Sequence, residues 1–422
     1  MPALRIVERS EDLPHDAFSG IQASLIKLLE SPDDSGAVDA VDAALSYAVR
    51  LRATDVYFEP WEDCTALRFR IDGILHDVAK LPKAQHARIV ARVKILARMI
   101  TYQRDTPQDG RIEADATPCA RAIRVSAFPT VNGERIVLRI MDGAGALLDL
   151  DALGFDSPLA RRLRALLERP QGSILLTGPS SSGKTTTIYA LLHEILAHRK
   201  PAPHIVTIED PVERRIPRVS QTEIAPQHGL SFESALRSLL RQDPEVIMVG
   251  EVRDAETART AIQAGLTGHL VVSTIHSGTA AGVFARLLDM GVEPYLAASS
   301  VTGVLAQRLV RVNCPQCTEP YMPDTALISA YGFNDFGGAF RRGIGCDACN
   351  GIGYDGRTAI GELLTVTEDF AERVLARVRT SELQEAALAS GMTTLAHAGA
   401  ELVRNGITTL EELKRVLPVV GA

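Results

Sequence analysis

Long apolar runs are missing from this chain of 422 residues: nothing approaches the roughly 18 to 20 consecutive apolar residues that a membrane-spanning helix needs. The start, MPALRIVERSEDLP, is charged where a secretory leader needs an apolar core. Both absences lead to the expectation of a cytoplasmic protein without a span of its own. Cysteine is scarce, six in all, which excludes a disulfide framework at this length. An excess of positive charge is missing too, since Lys+Arg 45 against Asp+Glu 52 gives −7. That mild acidity offers no general attraction to a polyanion, so nucleic acid is not an expected partner. What remains, 46% hydrophobic and 23% charged residues, is the balance of an ordinary globular protein, and the length implies several domains.

The hydrophobic period divides the chain. Helices are predicted from Ile21 to Glu30 and from Val38 to Leu51, with Ser31-Pro-Asp-Asp-Ser-Gly36 breaking the chain between them. The period then shortens towards two, giving strands at Asp55–Glu59, Ala66–Ile71 and Ile74–Ala79, with Asp72-Gly73 as a hairpin turn. A helix over Ala84–Ile100 and strands near Arg111–Glu113, Arg121–Ala127 and Arg135–Ile140 complete an α+β domain over residues 37–140, after a short N-terminal segment 1–36. Gly143, Gly145 and Gly154 mark a linker over 141–157. Strand, loop and helix then alternate: Ser173–Thr177, Lys184–Ala197, His204–Ile208, Phe232–Arg241, Val246–Val249, Ala255–Ala264 and His269–Thr274. Such alternation implies an α/β domain, 158–313, with a mostly parallel sheet between helices. Residues 314–353 are rich in Gly, Pro and Cys, and 354–422 ends in short helices.

Gly178-Pro179-Ser180-Ser181-Ser182-Gly183-Lys184-Thr185-Thr186 lies between an apolar strand and a helix, the context that a P-loop requires. Its glycines let backbone N–H groups surround phosphate oxygens, and the helix N-terminus adds a favourable dipole. Lys184 is expected to reach the β- and γ-phosphates of ATP, and the Thr185 hydroxyl to bind Mg²⁺. Glu245-Val-Ile-Met-Val-Gly-Glu251 is a buried-strand pattern that delivers a carboxylate, so Glu251 is the candidate to orient an attacking water. Thr207-Ile-Glu209-Asp210-Pro-Val-Glu213 places three acids just after the preceding strand.

Cys314-Pro-Gln-Cys317 and Cys346-Asp-Ala-Cys349 are two C-x₂-C pairs separated by 28 residues, a spacing that suits a closed, structural Cys₄ site for Zn²⁺. A nucleic-acid finger is disfavoured, because the intervening Thr318–Gly345 has only Arg341 and Arg342 as basic residues. Cys64, Cys119, Trp61 and His269 read as packing residues.

In the order of its motifs the chain resembles the secretion ATPases of type II secretion and type IV pilus assembly. The motifs are Ala53-Thr-Asp-Val-Tyr-Phe-Glu-Pro60, Pro107-Gln-Asp-Gly-Arg111, the P-loop, Thr207–Glu213, Arg241–Asp254 and Thr267–His276. The paired cysteines and Leu305-Ala-Gln-Arg-Leu-Val310 look more like the type II branch. The resemblance implies a RecA-like P-loop ATPase core, a PAS-like N-terminal α+β domain, a Cys₄ zinc module and a helical C-terminus. It also implies a Mg²⁺-dependent ATPase motor that powers pseudopilus assembly and protein export. That motor would be a homo-hexamer with nucleotide between its two main domains, working with an adaptor and a polytopic platform protein. It would be cytoplasmic and peripheral to the inner membrane. Glu209 would match the family's acidic box, Glu251 its Walker B glutamate and His276 its histidine box, while Arg111 and Arg124 would reach the phosphates from the N-terminal domain.

Alternatives are a type IV pilus assembly ATPase and a nucleotide-gated scaffold with little turnover. Departures from the family pattern are Ser181 in place of a P-loop glycine, Tyr57 in place of a histidine, and Ser277-Gly278 after His276. The family also carries a longer adaptor-docking domain ahead of the matched region, where a short segment precedes Val38 here.

Overall fold

The structure is a computed structural model that describes residues 18–30, 35–141, 148–225 and 228–417. The predicted break at Ser31–Gly36 and the linker residues Gly143 and Gly145 fall largely outside them. Two units are distinguished: one runs up to Gly145 and includes Cys314–Cys317 and Gly343–Asp355, and the other holds the remainder.

The first unit begins with α1 (Ser19–Leu29) and α2 (Gly36–Arg50), followed by β1 (Ala53–Pro60), β2 (Cys64–Ile71), β3 (Ile74–Pro82), α3 (His86–Leu96), β4 (Gln108–Ile112), β5 (Ile123–Thr130) and β6 (Gly133–Ile140). The strands form one sheet in the order β3-β2-β1-β6-β5-β4. Alternate positions such as Val56, Phe58, Leu67 and Phe69 join Leu25, Val41, Leu45, Ile89 and Val93 in a single core. Asp72 and Gly73 both take positive φ, 46° and 84°, as a tight hairpin turn between twisted strands demands.

Helix α3 stops four residues before the predicted Ile100. Arg98 sits left-handed at φ 57°, and Met99 N–H bonds back to the Lys94 carbonyl at 2.8 Å, a Schellman stop. No glycine marks that stop in the sequence, which is why the helical period overruns it.

The second unit contains α4 (Ser157–Leu167), β7 (Gly172–Thr177), α5 (Lys184–His198), β8 (Ile205–Glu209), β9 (Ser220–Glu223), α6 (Phe232–Leu239), β10 (Val246–Val249), α7 (Ala255–Leu266), β11 (Leu270–Thr274), α8 (Gly282–Asp289), α9 (Pro294–Ser300) and β12 (Val301–Asn313). After these come β13 (Thr318–Pro320), α10 (Thr325–Ala330), β14 (Arg341–Gly343), β15 (Tyr354–Thr365), α11 (Glu368–Leu375), α12 (Thr380–Ala389), α13 (Leu395–Arg404) and α14 (Leu410–Val416). The main sheet has the order β15-β12-β7-β11-β10-β8-β9, and the pairs from β12 through β9 are parallel.

Every residue of β7, β8, β10 and β11 is buried, as strands covered on both faces require. Ile188, Leu191, Leu192 and Ile195 of α5 are essentially fully buried beneath the P-loop, each contributing about 1.5–3 kcal/mol, so packing sets the helix behind the loop. Leu150 and Leu153, in the stretch read as linker, form a 3₁₀ turn buried in the same cluster. At the C-terminal end the fully buried Glu412 accepts from Arg311 of β12 at 2.7 Å and from Arg415 at 2.6 Å. That ionic pair of contacts ties α14 to the sheet.

Candidate nucleotide site and thiolate cluster

The site is assembled at the carboxyl ends of the parallel strands, where open α/β sheets bind their ligands. β7 runs into the P-loop, β8 ends on Glu209, β10 is followed by Gly250 and Glu251, and β11 by Ile275 and His276. Val249 pairs with Ile208 on one side and Ser273 on the other, so the next residues, Glu209, Gly250 and Thr274, lie in one row. Thr274 Oγ1 donates to the Gly250 carbonyl at 2.8 Å, fixing that row. A cavity of about 180 Å³ is lined by Lys184, Thr185, Glu209, Asp210, Glu213, Glu251 and His276, among others. Sequence positions almost a hundred residues apart thus share one small space.

The P-loop takes the conformation its glycines permit: φ is 151° at Gly178 and 87° at Gly183. Ser181, the departure from glycine, is also left-handed at φ 61°, which costs a residue with a Cβ about 1–2 kcal/mol. Lys184 Nζ donates to the Gly178 and Pro179 carbonyls at 2.8 and 2.9 Å. Burial and then the Arg308 guanidinium pull its pKa below the ordinary lysine value, with Glu251 opposing them.

Glu209 is buried and held by donors that the sequence reading did not identify. Its Oε1 accepts from Thr207 Oγ1 at 2.5 Å and from Gln221 Nε2 at 3.0 Å, and its other oxygen accepts from the Tyr189 hydroxyl of α5. Burial first, and then the bond to Glu209, push the Tyr189 pKa far up, so it stays a proton donor. Gln221 also donates to the Arg214 carbonyl at 2.9 Å and accepts from Ile216 N–H at 2.6 Å, pinning the acidic loop after β8. Glu251 is ion-paired to Arg253, whose other nitrogen lies 3.8 Å from Asp210. Thr207 and Arg253 stand two residues from the acids they hold, inside the family's motifs, whereas Tyr189 and Gln221 lie outside every motif and reach Glu209 from α5 and β9.

His276 is exposed and lines the cavity. Its segment is tied to the end of β7: Thr177 Oγ1 donates to the Ser277 carbonyl at 2.9 Å and accepts from Ser277 N–H at 2.8 Å. The tie uses the main chain of Ser277, so the departure from the family pattern there leaves it intact. His269 packs at the start of β11 with Nδ1 3.1 Å from the Ala264 carbonyl. Arg111 and Arg124 are direct register partners on β4 and β5 of the first unit, both exposed, with Arg111 Nε 3.4 Å from Glu113.

The four cysteines converge. Their Sγ atoms all lie within 4.8 Å of one another, and three of the pairs are 3.8 Å apart. A tetrahedron of Zn–S bonds of about 2.3 Å has an edge of about 3.8 Å, so the donor set fits Zn²⁺. Cys346 N–H and Gly353 N–H each point at Cys349 Sγ at 3.2 Å, the outer hydrogen bonds that orient a thiolate. Burial and the neighbouring sulfurs push the Cys317 thiol up to about 12, while the Cys349 backbone N–H pulls the Cys346 thiol down. Gly343 and Gly353 pack backbone to backbone, with room for no Cβ at Gly343, whose Cβ would stand 1.8 Å from the Gly353 carbonyl. Cys64 and Cys119 remain outside the cluster.

A parallel sheet with a P-loop, a buried acid beside it and a second acid at the neighbouring strand end define a RecA-like P-loop ATPase. A family model described as "Type II/IV secretion system protein" matches residues 30–415, and the chain belongs to that family of secretion ATPases. It is 42% identical over 390 residues to the Type II secretion system ATPase E of Vibrio cholerae, covering 92% of this chain and 77% of that one. It is 40% identical to the Type IV pilus assembly ATPase PilB of Myxococcus xanthus, over 96% of this chain and 73% of that one. The fold matches that of the Legionella pneumophila ATPase DotB with a TM-score of 0.66 at 20% identity, over 90% of this chain and 93% of that one. Among the described residues no helix is long and apolar enough to cross a membrane.

Proposed function

We propose that the chain hydrolyses ATP to ADP and phosphate as the motor of a type II secretion system, powering pseudopilus assembly and protein export. The observation that carries this reading is the convergence of Lys184, Thr185, Glu209, Glu251 and His276 on one cavity at the strand ends. Four carboxylates, Glu209, Asp210, Glu213 and Glu251, line that cavity with Lys184, and Arg253 offsets Glu251 and Asp210 only in part. This balance favours nucleotide arriving as its Mg²⁺ complex. Thr185 would hold the ion, with Glu209 behind it, and the ion would neutralise charge on the β- and γ-phosphate oxygens.

The chain's own groups then divide the work. Residues 178–186 enclose the phosphates, and Lys184 leaves its two carbonyl partners for phosphate oxygens. Glu251 orients the attacking water once Arg253 has moved off its carboxylate. His276 lies at the γ-phosphate end, and Arg111 and Arg124 stabilise charge on the transferring phosphoryl group. The motor works as a homo-hexamer at the cytoplasmic face of the inner membrane, beside adaptor and polytopic platform proteins. The 40% identity to a pilus ATPase over 96% of the chain supports type IV pilus assembly as the second reading.

Phosphate release by the purified chain with Mg²⁺ and ATP tests the proposal. We expect turnover that falls at least about a hundredfold in Lys184→Ala, the loss typical when transition-state charge loses its partner. A wild-type chain that binds ATP and releases no phosphate would leave the scaffold reading in its place. Restoration of export, but not of piliation, in cells lacking the respective ATPase separates the two branches.

A further inference from the structure

The segment Leu305–Val310 marks the family branch in the sequence, and apart from the Arg308 charge near Lys184 it has no role in the site described so far. It lies in β12, which runs parallel to β7 with Leu305 opposite Leu176 and Ala306 opposite Thr177. Gln307 therefore comes level with Gly178, where β7 gives way to the phosphate loop. Side chains alternate along the strand. Val304, Ala306 and Val310 join one core cluster, whereas Leu305 and Leu309 pack on the other face with Leu176 and Ile188. The pattern calls for an apolar residue at 307, and a glutamine with no exposed surface stands there.

Its amide forms the floor of the loop. Nε2 donates to the Ser182 carbonyl at 2.7 Å. The same nitrogen stands 3.2 Å, and Leu309 Cδ1 3.4 Å, from the point where a Cβ on Gly183 would lie. At the loop's other glycine, the Gln307 carbonyl and Ser182 Oγ are each 2.6 Å from the corresponding point on Gly178. Gln307 Oε1 and Ser182 Oγ are buried without a hydrogen-bond partner. A buried, half-satisfied amide is costly where methionine or leucine would pack freely. The single bond it does make must therefore matter to the loop.

The peptide geometry shows how. In a planar trans peptide the C=O and the following N–H point in opposite directions. Holding the Ser182 carbonyl down towards β12 turns the Gly183 N–H up into the loop. We propose that Gln307 is a positioning residue for the phosphate loop, aiming the Gly183 N–H at the β-phosphate of a bound nucleotide. The proposal rests on the ATPase reading for its ligand, and its own consequence is a β-phosphate contact shared by ATP and ADP.

The test uses the full chain, with fluorescent ADP and ATP analogues for binding and phosphate release for turnover. Gln307→Met keeps the shape and removes the donor. We expect it to weaken ADP and ATP binding in parallel by about tenfold, about 1.4 kcal/mol, with kcat at saturating ATP within about threefold of wild type. Gln307→Glu is expected to bind poorly at pH 8 and to recover towards wild type by pH 6, because a buried, protonated carboxyl donates to the Ser182 carbonyl and a carboxylate cannot. A purely space-filling role would produce no such pH dependence.

Wild-type ADP affinity in Gln307→Met, or a pH-independent deficit in Gln307→Glu, overturns the inference. Should Gln307→Met fail to fold, the pH series on Gln307→Glu decides alone. A wild-type chain that binds ADP without releasing phosphate from ATP overturns the ATPase reading, and the ADP measurements still judge Gln307. A wild-type chain that binds neither nucleotide overturns both.

Discussion

The cysteine cluster and the nucleotide cavity are built in opposite ways. The cluster joins two short pairs, and local turns with N–H···S bonds bring four sulfurs to tetrahedral spacing. The cavity draws on the ends of four strands, from Gly178 to His276, and its buried acid Glu209 takes donors from α5 and β9. A metal knuckle needs little beyond its own turns. A phosphate site inherits its second layer of contacts from sheet order. The cluster should therefore fail by losing its ion, and the cavity by losing rate or affinity while the fold stands.

The largest effect is expected in the cluster. Structural zinc contributes about 10–16 kcal/mol of apparent binding energy in small fingers, so losing one thiolate releases the ion. Cys346→Ser is expected to drop from one zinc per chain to none by elemental analysis, with a clearly lower melting temperature. Nucleotide affinity lost as fully as in Lys184→Ala would show that the two regions are not independent. Next comes Tyr189→Phe, which deprives Glu209 of a charge-assisted bond worth about 1.5–3 kcal/mol. Its kcat should fall about tenfold or more with a melting temperature lowered by a few degrees, and wild-type turnover would remove this anchoring from the chemistry. The smallest effect belongs to Ser181→Gly. Relief of left-handed strain of about 1–2 kcal/mol is partly offset by the greater freedom of glycine in the unfolded chain. The melting temperature should shift by about a degree or two at most with ATP affinity unchanged, and a loss of affinity would mean that the Ser181 side chain contributes a contact of its own.

The contrast also explains what could be read from the sequence. The P-loop and the cysteine pairs are contiguous, so spacing alone exposes them, and the strands that carry Glu209 and Glu251 show as apolar runs. Tyr189 looks like any large residue on a buried helix face until β8 is known to lie opposite it. Gln221 is an ordinary edge-strand residue until register brings it to Glu209, and Arg253 stands in a motif that does not say which acids it pairs with. Thirteen-residue β12 escapes the strand pattern because Gln307, Arg308 and Arg311 interrupt its apolar alternation. Each of these polar residues has a partner on another element: Ser182, Gly278 and Glu412. Short-range patterns report a residue's own neighbours along the chain, and these side chains answer to neighbours across it.

Lys184 carries a consequence for selectivity. Its ammonium is already held by two main-chain oxygens, which leaves one of its three N–H donors for an arriving anion before either is displaced. Chloride, with a single acceptor site, would meet that third donor and leave the cradle in place. A chain of phosphates lays several oxygens along the loop at once and can take over both bonds. On the proposed reading the loop would rank its visitors by how many acceptors they present together, favouring the Mg²⁺-bound chain of phosphates over simpler anions.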